Sequence, residues 1–140
     1  MTSLRSIAAA ALVLGASLVG VTASLAQTAE EFYKGKTVTL IVSAAPGGGA
    51  DLYARSFIKY LSRYIPGQPN VVITNLAGAG GLTAAAQLQA NEPRDGTVFA
   101  MLQRNNLYLP LVSAEPIAFD PKAVNWIGSL NKETYALVAW

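Results

Sequence analysis

Hydrophobic and polar residues fall into blocks along this chain, and the period within each block indicates an element. Thr37 to Ser43 (TVTLIVS) is β-branched and mostly apolar, bounded by Gly35 on one side and by Pro46 and three glycines on the other. A short apolar run between breakers predicts a buried strand. From Asp51 the period changes. Leu52, Ala54, Phe57, Ile58, Leu61 and Ile65 recur at spacings of three and four, with Arg55, Lys59 and Arg63 on the opposite side. This pattern predicts an amphipathic helix that stops before Pro66-Gly67. Tyr53, Tyr60 and Tyr64 lie near the same spacing and are expected to pack rather than to stack on a ligand. Val71 to Thr74 predicts a second strand, Leu82 to Asn91 an alanine-rich helix, Pro93 to Gly96 a turn, and Thr97 to Leu102 a third strand. Asn106 to Ser113 reads as a short helix. Trp126 to Leu130 and Tyr135 to Trp140 look strand-like, with Trp126 and Trp140 assigned to a core.

Strands alternating with helices at this spacing predict an α/β fold, a parallel sheet flanked by helices. The sequence ends within the apolar run YALVAW. An open apolar strand invites aggregation, so the chain reads as the beginning of something longer.

Ahead of the first strand stands a different pattern. Arg5 precedes an apolar run of small residues from Ile7 to Val21, and Ser24-Leu25-Ala26 places small residues where a signal peptidase cuts. The run is about 15 residues, short of the ~20 that a spanning helix needs. Residues 1–26 therefore read as a secretory signal peptide, and residues 27–140 as the exported part of the chain.

Composition narrows the chemistry. The chain has no cysteine and no histidine, which excludes a disulfide framework, a lipid-anchored terminus and histidine-dependent acid–base or metal chemistry. Ten Lys and Arg stand against eight Asp and Glu, a near-neutral balance without the basic stripe of a nucleic-acid binder. Ser43 lacks histidine partners and is no candidate nucleophile. No cofactor, metal or catalytic residue is expected, and an α/β enzyme is the weakest of the functions considered.

What remains is glycine. Two glycine-rich loops, Ala45 to Asp51 and Ala77 to Gly81, follow the first two predicted strands, and each opens a helix. Loops at the carboxyl ends of parallel strands are where open α/β sheets take ligands. A helix N-terminus offers unpaired N–H groups and the positive end of the dipole to an anion. Taken without a ligand, each loop is also an ordinary helix-opening turn. PGGGAD lacks the Gly-Lys-Ser/Thr of a P-loop, and GAGGLT has Thr83 where a dinucleotide fingerprint needs glycine. Asp51 admits three roles: a first-turn acid favoured by the dipole, a ligand contact through an amine or hydroxyl, or a brace that orders the loop. Arg55 pairs with it at i,i+4. Asn75 is expected to brace the second loop, and Asn105 or Asn106 to cap the next element.

Phe32-Tyr-Lys-Gly-Lys36, APGGGAD (45–51) with Arg55, GAGG (78–81) and PRDGT (93–97), taken in that order, resemble the Bug-type extracytoplasmic solute receptors, the substrate-binding proteins of tripartite tricarboxylate transporters. The resemblance runs from Phe32 to Trp140. It implies the N-terminal part of a type II periplasmic-binding-protein-like (Venus flytrap) fold whose second domain is absent from this sequence. It implies a small organic dicarboxylate or tricarboxylate as ligand and the membrane subunits of such a transporter as partners. A periplasmic carboxylate sensor feeding a signalling partner is the alternative. Carried over residue by residue, the ligand would meet Pro46, Gly47, Gly48, Gly49 and Asp51 in the first loop, and Gly78, Ala79, Gly80 and Gly81 in the second. The third-strand loop, Gln103 to Asn106, would sit beside them and add Asn105. Ala77 departs from the family, which has proline there, and so frees a φ angle.

Overall fold

A computed structural model describes residues 27–130 and 132. The leader at 1–26, the strand-like run Tyr135 to Trp140 and Trp140 itself lie outside the described residues. The first helix among the described residues, which the apolar pattern does not announce, is α1 (Ala29–Tyr33). Thr28 Oγ1 accepts from Glu31 N–H at 3.2 Å, and the Glu31 carboxylate accepts from Thr28 N–H at 3.0 Å. This reciprocal capping box satisfies two donors that would otherwise be orphaned, and it lowers the Glu31 pKa through the Thr28 bonds.

Three parallel strands follow, β1 (Thr37–Val42), β2 (Asn70–Asn75) and β3 (Val98–Met101), in the order β2-β1-β3. The register pairs Val42 with Asn75 on one side and with Met101 on the other, so all three strands reach the same edge together. Between them run α2 (Gly49–Tyr64) and α3 (Leu82–Asn91), and α4 (Asn105–Val112) follows β3. The α/β reading, a parallel sheet flanked by helices, is what the structure shows.

Burial explains the composition of β1. As the central strand it is covered on both faces, and Val38, Leu40, Ile41 and Val42 are all buried, as near-continuous apolar strands of parallel sheets are. Leu40 and Val42 pack with Ala54 of α2, with Ala50, Ile58, Ile73, Phe99 and Met101 around them. Ile41 points the other way and is equally buried, where the pair Ala84-Ala85 brings α3 close to β1 and β3. Phe119 joins the core, and its segment is tied to α3 by Gln89, which donates to Asp120 O and accepts from Asp120 N–H.

Several side chains depart from the pattern-based expectation. Tyr53, Tyr60 and Tyr64 are 58%, 63% and 81% exposed, and Leu52 is 59% exposed. At about 100° per residue, the tyrosines stand roughly a quarter turn from Ala54 and form a ridge of their own beside the buried stripe. Trp126 is half exposed, held by a bond from its Nε1 to Pro121 O at 2.8 Å, and is not core. Residues 126–130 form no strand, because no strand lies beside them among the described residues to pair with.

The end of α1 is pressed against the turn that follows α2. A Cβ on Gly67 would lie 2.6 Å from Glu30 O and 2.8 Å from Lys34 N, at a φ of +77°. Both neighbours are backbone and cannot swing away. Gly67→Ala is therefore expected to destabilise the chain by about 1–3 kcal/mol, the range for strained backbone positions, measured as a shift in the urea midpoint at unchanged slope.

Candidate functional site

The flush carboxyl ends of β1, β2 and β3 bring three loops to one edge of the sheet, and the predicted site residues fall on them. The first loop leaves β1 at Ser43 and enters α2 with Gly48 as N-cap. No side chain caps this helix, and the N–H groups of Gly49, Ala50 and Asp51 find no acceptor among the described residues. Pro46, Gly47, Gly48 and Gly49 are all exposed. The positive end of a 16-residue helix thus opens at the edge of the sheet behind bare backbone. Of the three glycines only Gly47 is left-handed, at φ +81°; Gly48 has φ −76°.

Asp51 belongs to this loop in sequence but faces inward. Its side chain is 2% exposed. Oδ2 accepts from Arg55 Nε at 2.8 Å and from Gly47 N–H at 2.9 Å, and Oδ1 accepts from Asn75 Nδ2 at 2.9 Å. The Arg55 bond first, then those from Gly47 and Asn75, hold this carboxyl well below the usual carboxylate range. Of the three roles open in the sequence, the structure shows the brace. The carboxylate orders the loop, and Arg55, half exposed, balances its charge. Asn75 serves the same loop, not the second one as expected. Its Nδ2 donates to Ala44 O at 3.0 Å as well as to Asp51. The end of β2 points that amide at β1, since the two strands are paired up to Asn75 itself.

The second loop leaves β2 and turns through a left-handed run. Gly78, Ala79, Gly80 and Gly81 have φ of +139°, +45°, +62° and +94°, and a single 3-10 turn at Ala79–Gly81 leads into α3. Gly81 N–H donates to Gly78 O at 2.8 Å and Leu82 N–H to Ala79 O, so the turn closes on itself. The N–H groups of Gly78, Ala79 and Gly80 have no acceptor among the described residues, and all three residues are exposed. Ala79 carries a side chain at positive φ, a costly position of a kind that clusters at binding sites. Gly81 is buried and contributes no exposed surface.

The third loop cross-links the other two. Ser43 Oγ donates to Met101 O at 3.1 Å and accepts from Gln103 N–H at 2.9 Å, while Gln103 Nε2 donates to Ser43 O at 3.1 Å. Asn105 and Asn106 do not cap α4, whose N-cap is Arg104. They sit in its first turn and both donate through Nδ2 to Gly80 O, at 2.9 Å and 3.2 Å. Asn105 therefore reaches the site, as a brace on the second loop. Ser43, Asn75, Gln103 and Asn106 hold the edge together; of these the sequence marked only Asn75 as a loop brace, and for the other loop. Their one shared mark in the sequence is an uncharged polar side chain at or within five residues of a strand's carboxyl end.

The edge is an open rim rather than an enclosed pocket. Concavities of about 400 Å³ between α1 and the turn after α2, and of about 260 Å³ beside Tyr53 and Tyr60, lie away from this edge. No group of acidic residues among those described could hold a metal ion, and no described helix is long and apolar enough to cross a membrane.

Two curated proteins are similar to this chain. One, "UPF0065 protein in gbd 5'region" of Cupriavidus necator, is 29% identical over 133 residues, covering 94% of this chain and 39% of that protein. The other, "UPF0065 protein in the TAR-I ttuE-ttuC' intergenic region" of Agrobacterium vitis, is 33% identical over 93 residues, 59% of this chain and 26% of its own length. The chain spans less than half the length of these relatives. No protein-family model matches it, and no solved structure does.

Proposed function

We propose that this chain forms one wall of the ligand cleft of a periplasmic solute receptor of the Bug type, the family to which the name UPF0065 belongs. Its ligand is a small organic dicarboxylate or tricarboxylate, which it presents to the membrane subunits of a tripartite tricarboxylate transporter. The observation that carries this reading is the pair of loop segments at one sheet edge, exposed Gly49 with half-buried Ala50 and exposed Gly78 to Gly80, each with N–H groups lacking an acceptor among the described residues. Five such donors on two loops of one sheet edge suit a carboxylate ligand. No side-chain cation competes for it from the first loop, because Arg55 is paired with Asp51. The anion is met by oriented amides and a helix dipole, which need no side-chain reorganisation on binding. The amides of this wall bind the carboxylate on their own, and a second domain closing over the ligand would tighten that binding by excluding water.

The test is calorimetric titration of the purified chain with citrate, malonate and the uncharged triethyl ester of citrate, with amide spectra recorded alongside. The acids should move the resonances of Gly49 and Ala50 and of Gly78 to Gly80, and the ester should not. Resonance changes confined to other parts of the chain would place the ligand elsewhere and remove the reading.

A further inference from the structure

We infer that Asn106 is the positioning residue of the second loop: it holds the left-handed turn in the shape that leaves the Gly78, Ala79 and Gly80 amides free for a ligand. The inference rests on the receptor reading for its purpose, though not for its geometry. Asn106 is 0% exposed, the most deeply buried amide side chain among the described residues. Its Nδ2 donates to Gly80 O at 3.2 Å. Its Oδ1 is buried without a hydrogen-bond donor, which is rare for such an atom and calls for a reason.

The reason lies across the contact. A Cβ built on Gly81 would stand 2.7 Å from Asn106 Oδ1 and 3.2 Å from Ser43 Oγ. The bare Cα of Gly81 is thus turned toward Asn106 Oδ1, a place where a weak Cα–H···O contact is the available partner. One side chain therefore touches two successive residues of the loop, pulling the Gly80 carbonyl inward and filling the space that a Gly81 side chain would need. With Gly80 O drawn toward α4, the run through Ala79 stays left-handed despite the cost of a side chain at φ +45°. Asn105 reaches the same oxygen from a less buried position, whereas the atoms nearest a Cβ on Gly81 belong to Asn106 and Ser43. The division of labour is specific: Asn105 adds a bond to a turn whose shape Asn106 sets. Through Ser43, which lies against Gly81 and bonds both Met101 O and Gln103 N–H, the same contact joins the second loop to the first and third.

The experiment compares amide spectra of the full chain with Asn106→Leu, Asn106→Asp, Gly81→Ala and Asn105→Ala, without ligand and then with citrate. Leucine fills the volume without either polar atom, aspartate keeps the shape but loses the donor to Gly80 O, and alanine at 81 pushes from the opposite side. In each folded variant of these three, the resonances of Gly78, Ala79 and Gly80 should move while those of Gly49 and Ala50 stay. Asn105→Ala should move the second loop less than any of them. Citrate affinity of Asn106→Asp should fall about tenfold or more, the loss expected when hydrogen bonds to a charged group are misaligned. Second-loop resonances that stay in place in any folded variant lacking the Asn106 donor would overturn the inference, as would an Asn105→Ala change equal to that of Asn106→Leu. If the unaltered chain fails to bind citrate, the receptor reading falls, and the ligand-free spectra still decide the role of Asn106.

Discussion

Asp51→Leu is expected to lower the thermal midpoint of the chain by on the order of 10 °C, the shift of a severe single substitution in a domain of about this size. The reason is what it leaves behind. Three donors now converge on this carboxylate, the Arg55 guanidinium, the Gly47 N–H and the Asn75 amide. Leucine fits the space but accepts nothing, so Gly47 and Asn75 lose a partner in a part-buried place where water cannot fully replace it. The loss also travels. Asn75 joins the end of β2 to Ala44, and Gly47 is the left-handed hinge of the first loop. Carboxylate binding should therefore be lost along with stability. If Asp51 were only a first-turn acid, its replacement would cost a few tenths of a degree to a few degrees, and scanning calorimetry separates the two outcomes.

The same network sets an acid limit. The Asp51 pKa is lowered in the folded chain, by Arg55 first and then by the Gly47 and Asn75 bonds. A group whose folded pKa is depressed contributes stability above its unfolded value and loses it as pH falls through the folded value. Stability should thus begin to drop below about pH 4, the ordinary carboxylate range, and continue to drop well beneath it. Asp95 and Glu31, also lowered by hydrogen bonds from Thr97 and Thr28, add to the slope in the same direction. Asp51→Asn removes one titration and leaves the others. Its urea midpoint should be lower than that of the unaltered chain at pH 7 and should change less between pH 5 and pH 3. Parallel pH curves for the two proteins would show that Asp51 does not carry the effect.

The parts of this fold legible in the sequence are those set by local pattern. Of TVTLIVS between breakers, all but the last residue form a strand, Thr37–Val42. Leu82 to Asn91 is a helix over those residues, and the two glycine loops open helices at one edge. The α1 helix was legible too, in the Thr-x-x-Glu spacing of Thr28 and Glu31, although its face is too short to show a hydrophobic period. Side-chain partners across the edge were not legible, because they depend on strand order and register. Whether Asn75 turns to the first loop or the second follows from the pairing of β2 with β1, which no local pattern states. The tyrosines of α2 mislead for a related reason. Their spacing is helical, but only packing decides which stripe of a helix meets the sheet, and small Ala54 takes that place.

A run of glycines also hides which member is constrained, and a pair of valine substitutions exploits the difference. Gly48 has φ −76°, and a Cβ there meets only Ala45 O at an ordinary 3.5 Å. Gly48→Val is therefore free of strain, though valine is a poor N-cap, which costs about 1 kcal/mol or less relative to glycine. Gly80 has φ +62°, and a Cβ would lie 3.0 Å from Asn105 Nδ2. Gly80→Val forces a β-branched residue into the left-handed region and against a brace, a cost of about 1–3 kcal/mol. Both should abolish detectable citrate binding, for different reasons. Valine at 48 stands over the amides of Gly49 and Ala50 in an otherwise unaltered loop, whereas valine at 80 moves the second loop itself. The thermal midpoint should fall by a few degrees at most for Gly48→Val and clearly further for Gly80→Val, with the Gly78 and Ala79 resonances displaced only in the latter. Unchanged citrate affinity in Gly48→Val would take the first loop out of the site, because that variant has no other way to spare the ligand.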